Sequence, residues 1–275
     1  MEEKKNLNFK VNVKNEQDKR IEENLSKIKN KLMVLSGKGG VGKSTIAVNI
    51  AAALAKKGLK VGLMDIDLHG PNTLKMLGLE DKQIYSDENK RIIPLEYSEN
   101  LKVISIASLL ETPETPVIWR GPLKIGVIKQ FLADVVWGEL DWLIIDTPPG
   151  SGDEPLTAGQ LIKDAKVVIV TTPQEVSLLD IKKSITFVKQ LGLKIVGLIE
   201  NMSGFICPNC GEKIEIFKSG TAQSVAEKME VELLGKLPLT KEIVEMSDEG
   251  KPYFSVVSDS EPAKEFNKIL SKITD

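Results

Sequence analysis

The chain has 275 residues, and 41% of them are hydrophobic, which is enough for one well-packed core. Its formal net charge of −2 gives no sign of a nucleic-acid binder, and no apolar run approaches the ~20 residues of a membrane-spanning helix. The two cysteines, Cys207 and Cys210, are too close to staple a fold and favour a reducing compartment, so we expect a cytoplasmic protein with no nucleic-acid or membrane partner.

Short apolar runs alternate with helical patterns from residue 31 to residue 275. Residues 1–30 contain many Lys, Glu and Asn residues, so we predict a flexible charged tail there, partly helical. The predicted strands are residues 32–35, 61–65, 102–106, 142–146, 167–171, 195–200 and 233–237. The predicted helices are residues 43–57, 122–136, 179–191, 221–228, 240–249 and 262–273. Continuous apolar strands are typical of parallel sheets buried on both faces, so residues 31–275 are predicted to form one α/β domain, a doubly wound, mostly parallel sheet flanked by helices.

A glycine-rich loop lies between the first predicted strand and the first predicted helix. Its sequence Gly37-Lys38-Gly39-Gly40-Val41-Gly42-Lys43-Ser44 satisfies the phosphate-loop pattern G-x-x-x-x-G-K-[ST]. Glycines let backbone N–H groups converge on phosphate oxygens, and the helix N-terminus adds positive potential. We expect Lys43 to lie between the β- and γ-phosphates and Ser44 to bind Mg²⁺. The predicted nucleotide-binding residues are Gly37, Lys38, Gly39, Gly40, Val41, Gly42, Lys43, Ser44 and Thr45.

Lys38 is an unusual second cation, early in this loop. It need not point into its own phosphate site, and a cation that reaches across an interface would act in trans, as arginine fingers do. A solvated loop lysine is the alternative, and the loop alone does not decide between the two.

Carboxylates follow two of the predicted strands. Asp65 and Asp67 lie on the same side of an extended chain, at the strand end where ligands bind in open α/β sheets. Asp146 closes another apolar strand, and an acidic residue there suits the water shell of Mg²⁺. We expect Asp67 and Asp146 to serve the metal or the attacking water. For Asp65, capping of the next helix is a strong alternative.

The pair Cys207 and Cys210 supplies half of a tetrahedral metal site. Four thiolates would require a twofold dimer, with two cysteines from each chain. The residues alone favour zinc over an iron–sulfur cluster, and both of these over a redox dithiol or an inert pair. The surrounding sequence reads as a loop.

Several strings together resemble one known family. The loop with Lys38, the Asp65-x-Asp67 pair and Asp146-Thr147-Pro148-Pro149-Gly150 look like the deviant Walker A ATPases, which include MinD/ParA-like and nitrogenase-reductase-like proteins. Further strings resemble the Mrp/ApbC family of iron–sulfur cluster carrier ATPases, from about residue 31 to the C-terminus. These strings are Asp67-Leu68-His69-Gly70-Pro71-Asn72, Trp119-Arg120-Gly121-Pro122, Gly150-Ser151-Gly152-Asp153-Glu154-Pro155-Leu156, Glu200-Asn201-Met202-Ser203 and Cys207-Pro208-Asn209-Cys210.

This resemblance implies an ATP- and Mg²⁺-dependent hydrolase that works as a homodimer. It implies that Lys38 contacts the nucleotide of the partner subunit, that Asp67 orients the hydrolytic water, and that Asn201 reads the adenine. It also implies a [4Fe–4S] cluster bridged between the subunits by Cys207 and Cys210 of each chain, and transfer of that cluster to apo iron–sulfur proteins.

Two other functions compete with cluster transfer. A protein-targeting ATPase clasped by zinc would need a methionine-rich helical insertion, and the seven Met residues are scattered instead. A MinD/ParA-like positioning ATPase would need a basic amphipathic tail or a basic patch, and it would leave the cysteine pair without a role.

Overall fold

The computed structural model of the chain describes residues 16–68, 70–109, 121–175, 177–207, 209–215 and 221–275. The strands are β1 Ile28–Ser36, β2 Val61–Asp65, β3 Tyr85–Ser86, β4 Ile92–Ile93, β5 Leu95–Ser98, β6 Leu101–Ser105, β7 Leu140–Asp146, β8 Lys166–Thr171, β9 Lys194–Ile206, β10 Lys213–Ile214 and β11 Leu233–Leu239. The helices are α1 (residues 16–26), α2 Lys43–Lys56, α3 Thr73–Met76, α4 Gly121–Asp134, α5 Asp153–Leu161, α6 Ser177–Gln190, α7 Thr221–Met229, α8 Lys241–Asp248, α9 Tyr253–Val256 and α10 Glu261–Thr274. Within these described ranges, no helix combines the length and the apolar composition that crossing a membrane requires.

One sheet of nine strands organises the structure. Its order is β10-β9-β8-β1-β7-β2-β6-β5, with β11 also paired to β9. The strand pairs are parallel except β5–β6 and β9–β10, so the predicted doubly wound, mostly parallel sheet is confirmed. The strands β1, β7 and β2 are neighbours, and the register places Val34 and Asp65 on either side of Asp146. Their carboxyl ends therefore meet at one edge of the sheet.

Both faces of the sheet are buried, which explains why its strands are continuously apolar. In β1, Leu32 and Val34 belong to one core cluster, whereas Met33 and Leu35 belong to a second cluster on the opposite face. Helices α2 and α10 supply the first cluster, and α4, α6 and α7 supply the second. Alternating strand residues thus face two helix layers, as a doubly wound fold requires.

The described fold begins before residue 31, within the segment predicted to be a charged tail. Ile21 of α1 is only 3% exposed and belongs to the same core cluster as α4. The side-chain amide of Asn24 donates to the carbonyls of Leu132 and Ala133, both at 2.9 Å. The apolar residues Ile21, Leu25 and Ile28 form a narrow stripe among Lys and Glu residues, which average composition conceals. The rest of the predicted tail, residues 1–15, lies outside the described residues.

We expect Ile21→Ala to lower the free energy of unfolding by about 2–3 kcal/mol, because it removes buried methyl and methylene groups and leaves a cavity. Urea unfolding followed by circular dichroism measures the change. The matched control is Glu22→Ala, an exposed position on the same helix, which should change stability by less than about 0.5 kcal/mol. Equal stability of the Ile21 variant and the wild type would show that α1 is not part of the cooperative fold.

Candidate functional site

The glycine-rich loop joins the end of β1 to the start of α2, as the sequence predicts. Gly42 has a φ of 82°, a left-handed conformation that favours glycine, and α2 begins at the next residue. A Cβ added at Gly37 would lie 2.6 Å from the Cβ of Asp180 in α6, so that position also requires glycine. Val41 is buried in the core and anchors the loop between these glycines. The loop is thus held close to α6 while its N–H groups and the N-terminus of α2 remain available to an anion.

An open cavity of about 370 Å³ lies against this loop. Lys38, Lys43 and Ser44 line it from the loop side, and Asp67 and Pro149 line it from the ends of β2 and β7. Its volume falls in the range of small-molecule sites. The structure therefore brings the loop and two separate strand ends to one cavity.

Lys43 is a buried cation between two carboxylates. Its side chain is 6% exposed, and its Nζ lies 2.6 Å from Oδ1 of Asp146 and 3.4 Å from Oδ2 of Asp67. Burial of the ammonium lowers the pKa of Lys43, but the nearby carboxylates, Asp146 foremost, outweigh burial and raise this pKa above its usual value. The lysine is therefore held protonated, as phosphate binding requires.

Asp146 is fully buried and has one unsatisfied oxygen. Its Oδ2 has no hydrogen-bond partner in the described part of the chain, while its Oδ1 bonds Lys43. Burial raises the pKa of Asp146, and the charge of Lys43 and a hydrogen bond from the Ser44 side chain oppose that rise. An unsatisfied buried carboxylate oxygen beside a serine hydroxyl fits the water shell of a bound Mg²⁺.

Asp65 lies beneath the cavity rather than in its wall. It is fully buried, and its carboxylate accepts hydrogen bonds from the Asp67 N–H at 2.9 Å, the Thr73 hydroxyl at 2.7 Å and the Ser105 hydroxyl at 2.9 Å. Burial, followed by the charge of Asp146, raises the pKa of Asp65 to about 7. Asn72 is the N-cap of α3, and Asp65 accepts the side-chain hydroxyl of Thr73 rather than a backbone N–H of that helix, so these hydrogen bonds do not support the alternative that Asp65 caps the next helix.

Lys38 lines the cavity, but its ammonium donates a hydrogen bond to another part of this chain. It donates to the side-chain oxygen of Gln174, in the segment that follows β8. A single chain does not test whether Lys38 reaches the nucleotide of a partner, so its role in trans stays a prediction.

Asn201 lies in β9 against the phosphate loop. Its side-chain amide donates to the carbonyl of Val41 at 2.9 Å. A second cavity of about 150 Å³ lies beside it, with apolar walls from β11, α8 and α9. These wall residues are Pro238, Leu239, Ile243, Val244 and Phe254. Sequence reasoning missed them because they read as ordinary core residues, and only the pairing of β11 with β9 places them next to the loop.

The two cysteines lie on the turn of a hairpin between β9 and β10, where the sequence predicted a loop. Strand β9 runs on to Ile206, beyond its predicted end at residue 200, and pairs with the short β10 in an antiparallel ladder. The Cys207 N–H donates to the Glu212 carbonyl at 2.9 Å and closes the turn. Backbone N–H groups of Cys210 and Asn209 directed at the sulfur lower the pKa of the Cys207 thiol.

Both thiols are free, Cys207 half-buried and Cys210 exposed. Within the described ranges, no group of three or more His, Cys, Asp or Glu residues could hold a metal ion, so the pair remains half of a site. Of the strings that resemble the carrier family, His69, Trp119, Arg120 and Pro208 lie outside the described residues.

Comparison with known proteins agrees with these features. The family model of ParA, described as the NUBPL iron-transfer P-loop NTPase, matches residues 27–274. The iron-sulfur cluster carrier protein of Methanocaldococcus jannaschii is 52% identical over 261 residues, which cover 94% of this chain and 89% of that protein.

Solved structures of other proteins share the fold of this chain. The nucleotide-binding protein of Archaeoglobus fulgidus, in complex with ADP, superposes with a TM-score of 0.75 and 40% identity, over 86% of this chain and 92% of that chain. The cell division ATPase MinD of Pyrococcus furiosus superposes with a TM-score of 0.64 and 25% identity, over 89% of this chain and 98% of that chain. The resemblance to iron–sulfur carrier ATPases is thus confirmed, and the chain belongs to the ParA/NUBPL family of iron-transfer P-loop NTPases.

Proposed function

We propose that this protein is an ATP-hydrolysing carrier of [4Fe–4S] clusters. In this proposal it works as a cytoplasmic homodimer, holds one cluster between its subunits and delivers it to apo iron–sulfur proteins. The observation that supports this most directly is the course of β9. This strand places Asn201 against the phosphate loop and then continues into the turn with Cys207 and Cys210.

The residues of the nucleotide cavity are proposed to bind the phosphates, to hold Mg²⁺ and to orient the attacking water. The loop amides and the ammonium of Lys43 bind the phosphates, and Lys43 exchanges its carboxylate contacts for phosphate oxygens. Ser44, Asp67 and Asp146 would hold Mg²⁺, which neutralises charge on the phosphate oxygens. Asp67 lines the cavity and orients the water that attacks the terminal phosphate.

The base of the nucleotide fits the apolar cavity beside Asn201. Apolar walls suit a purine ring, and an amide that both donates and accepts hydrogen bonds suits the edge of adenine. This cavity adjoins the phosphate loop at Gly42 and Thr45, so one nucleotide can occupy both cavities.

We expect Lys43→Met to abolish ATP hydrolysis and to weaken ATP binding about 100-fold or more, because it removes the buried loop cation proposed to bind the phosphates while keeping a similar side-chain length. Binding of a fluorescent ATP analogue and release of phosphate measure the two effects. The control is Lys57→Met, an exposed lysine just beyond α2, which should leave both unchanged. ATP binding of wild-type strength in the Lys43 variant would contradict the proposed site.

The role of Lys38 in trans can be tested by mixing variants. Lys38→Ala and Asp67→Asn should each lose activity, by about 1000-fold for a finger-type cation. If Lys38 serves the partner's nucleotide, a mixed dimer contains one complete site, so an equal mixture should recover about a quarter of the wild-type rate. If Lys38 serves its own nucleotide, no site is complete and the mixture should stay inactive.

The cysteine turn suits an iron–sulfur cargo shared by two chains. A [4Fe–4S] cluster is held by four thiolates, and each chain supplies two. The lowered pKa of Cys207 favours the thiolate form that binds metal. The partial exposure of both sulfurs leaves them accessible to a second chain and to an acceptor protein.

We expect anaerobic reconstitution with iron and sulfide to give about four irons and four sulfides per dimer, because two chains together supply the four thiolates of such a cluster. Iron and sulfide analysis with Mössbauer spectroscopy measures this. Replacing both Cys207 and Cys210 with Ala should remove the cluster and leave ATP binding intact.

Asn209→Ala, an exposed position in the same turn, is the control and should retain the cluster. One zinc per dimer with no cluster would contradict the carrier function. The protein would then be a zinc-clasped dimeric ATPase, acting in protein targeting or MinD/ParA-like positioning.

A further inference from the structure

Asp65 is a buried carboxylate to which the proposed mechanism assigns no task. It ends β2, it is fully buried, and it is not among the residues that line the nucleotide cavity. Its two oxygens accept three hydrogen bonds from side chains and backbone that are themselves buried. Buried polar groups that are fully paired give a local structure one defined arrangement.

The three donors come from three different places in the fold. The Asp67 N–H, at 2.9 Å, lies at the start of the segment that joins β2 to α3. The Thr73 hydroxyl, at 2.7 Å, lies at the end of that segment. The Ser105 hydroxyl, at 2.9 Å, lies at the end of the neighbouring strand β6. One carboxylate therefore ties both ends of the segment to the sheet.

The described residues of this segment contribute one wall of the nucleotide cavity. Asp67, Gly70 and Asn72 line the cavity, and the Asp67 carboxylate lies 3.4 Å from the Lys43 ammonium. The preceding residue, Ile66, donates its N–H to the carbonyl of Asp146 at 2.9 Å. Because Asp65 binds the main chain of Asp67 itself, the direction of the Asp67 side chain depends on the Asp65 hydrogen bonds.

We propose that Asp65, with Thr73 and Ser105 as its donors, is a positioning residue that aims Asp67 at the hydrolytic water. The inference rests on the proposed ATP hydrolysis and adds the group that sets its geometry. ATP binding depends instead on the phosphate loop and Lys43, and none of the three Asp65 hydrogen bonds comes from that loop. Misplacing a catalytic group by about 1 Å costs up to about 100-fold in rate. Because Ser44 and Asp146 would still hold Mg²⁺, loss of the Asp65 contacts lowers kcat far more than nucleotide affinity.

The test compares two substitutions at Thr73. Thr73→Val removes the hydroxyl at nearly constant volume, and it should lower kcat by about tenfold to 100-fold. Thr73→Ser keeps the hydroxyl and should stay within about threefold of the wild type. Ser105→Ala, which removes one of the other donors, should lower kcat in the same direction. The dissociation constant of a fluorescent ATP analogue should change less than about threefold in all three variants.

A stability control separates positioning from general loosening of the fold. Ser260 caps α10 by accepting from the Ala263 N–H at 3.2 Å, and it lines neither nucleotide cavity. Ser260→Ala should lower the melting temperature without lowering kcat. If the Thr73→Val and Ser105→Ala variants keep the wild-type kcat, or if they lose ATP affinity as strongly as they lose kcat, the inference is overturned and the proposed hydrolysis stands. A wild-type protein that does not hydrolyse ATP would overturn both.

Discussion

The buried ammonium of Lys43 lies between the carboxylates of Asp146 and Asp67, and this contact requires β1, β7 and β2 to be neighbours in one parallel sheet. A buried charge is tolerated only with well-placed partners, and removing one partner of such a pair typically costs 3–5 kcal/mol. The lysine begins α2, whereas its partners end β7 and follow β2. The cavity beside the phosphate loop exists because the sheet register brings these three chain segments together, and the two carboxylates stabilise the buried lysine.

Much of this arrangement could be predicted from the sequence, since each pattern that indicates it lies within a short stretch of the chain. The glycine loop, the apolar strands and the final amphipathic helix each depend on residues close together in the chain. The burial of both sheet faces explains why the strand residues are continuously apolar, and the α/β alternation predicts the layers. The glycine-rich loop accordingly joins β1 to α2 and Asp146 ends β7, as the sequence predicts, whereas their roles toward nucleotide and metal stay predictions.

The remaining features depend on contacts between distant parts of the chain. The apolar walls around Asn201 come from β11, α8 and α9, and no local pattern separates Ile243 or Phe254 from other core residues. The burial of helix α1 could not be predicted from composition, because charged residues surround its apolar ones and only the spacing of Ile21, Leu25 and Ile28 indicates its buried side. Two of the hydrogen bonds of Asp65 join β2 to residues of α3 and β6, so the partners of this strand-end carboxylate could not be predicted from the residues next to it in the chain.

Strand β9 also fixes the physical separation between the two halves of the proposed activity. It has 13 residues but is not extended throughout, because Met202 and Gly204 have φ values of 56° and 85° and the register against β11 shifts between Asn201 and Phe205. One irregular strand therefore joins the residue beside the phosphate loop, Asn201, to the turn that carries the cysteines. In the proposed carrier, information about the nucleotide would travel to the cluster as a displacement of this backbone. The two sites would then be coupled mechanically, and the strength of that coupling would depend on the stiffness of β9.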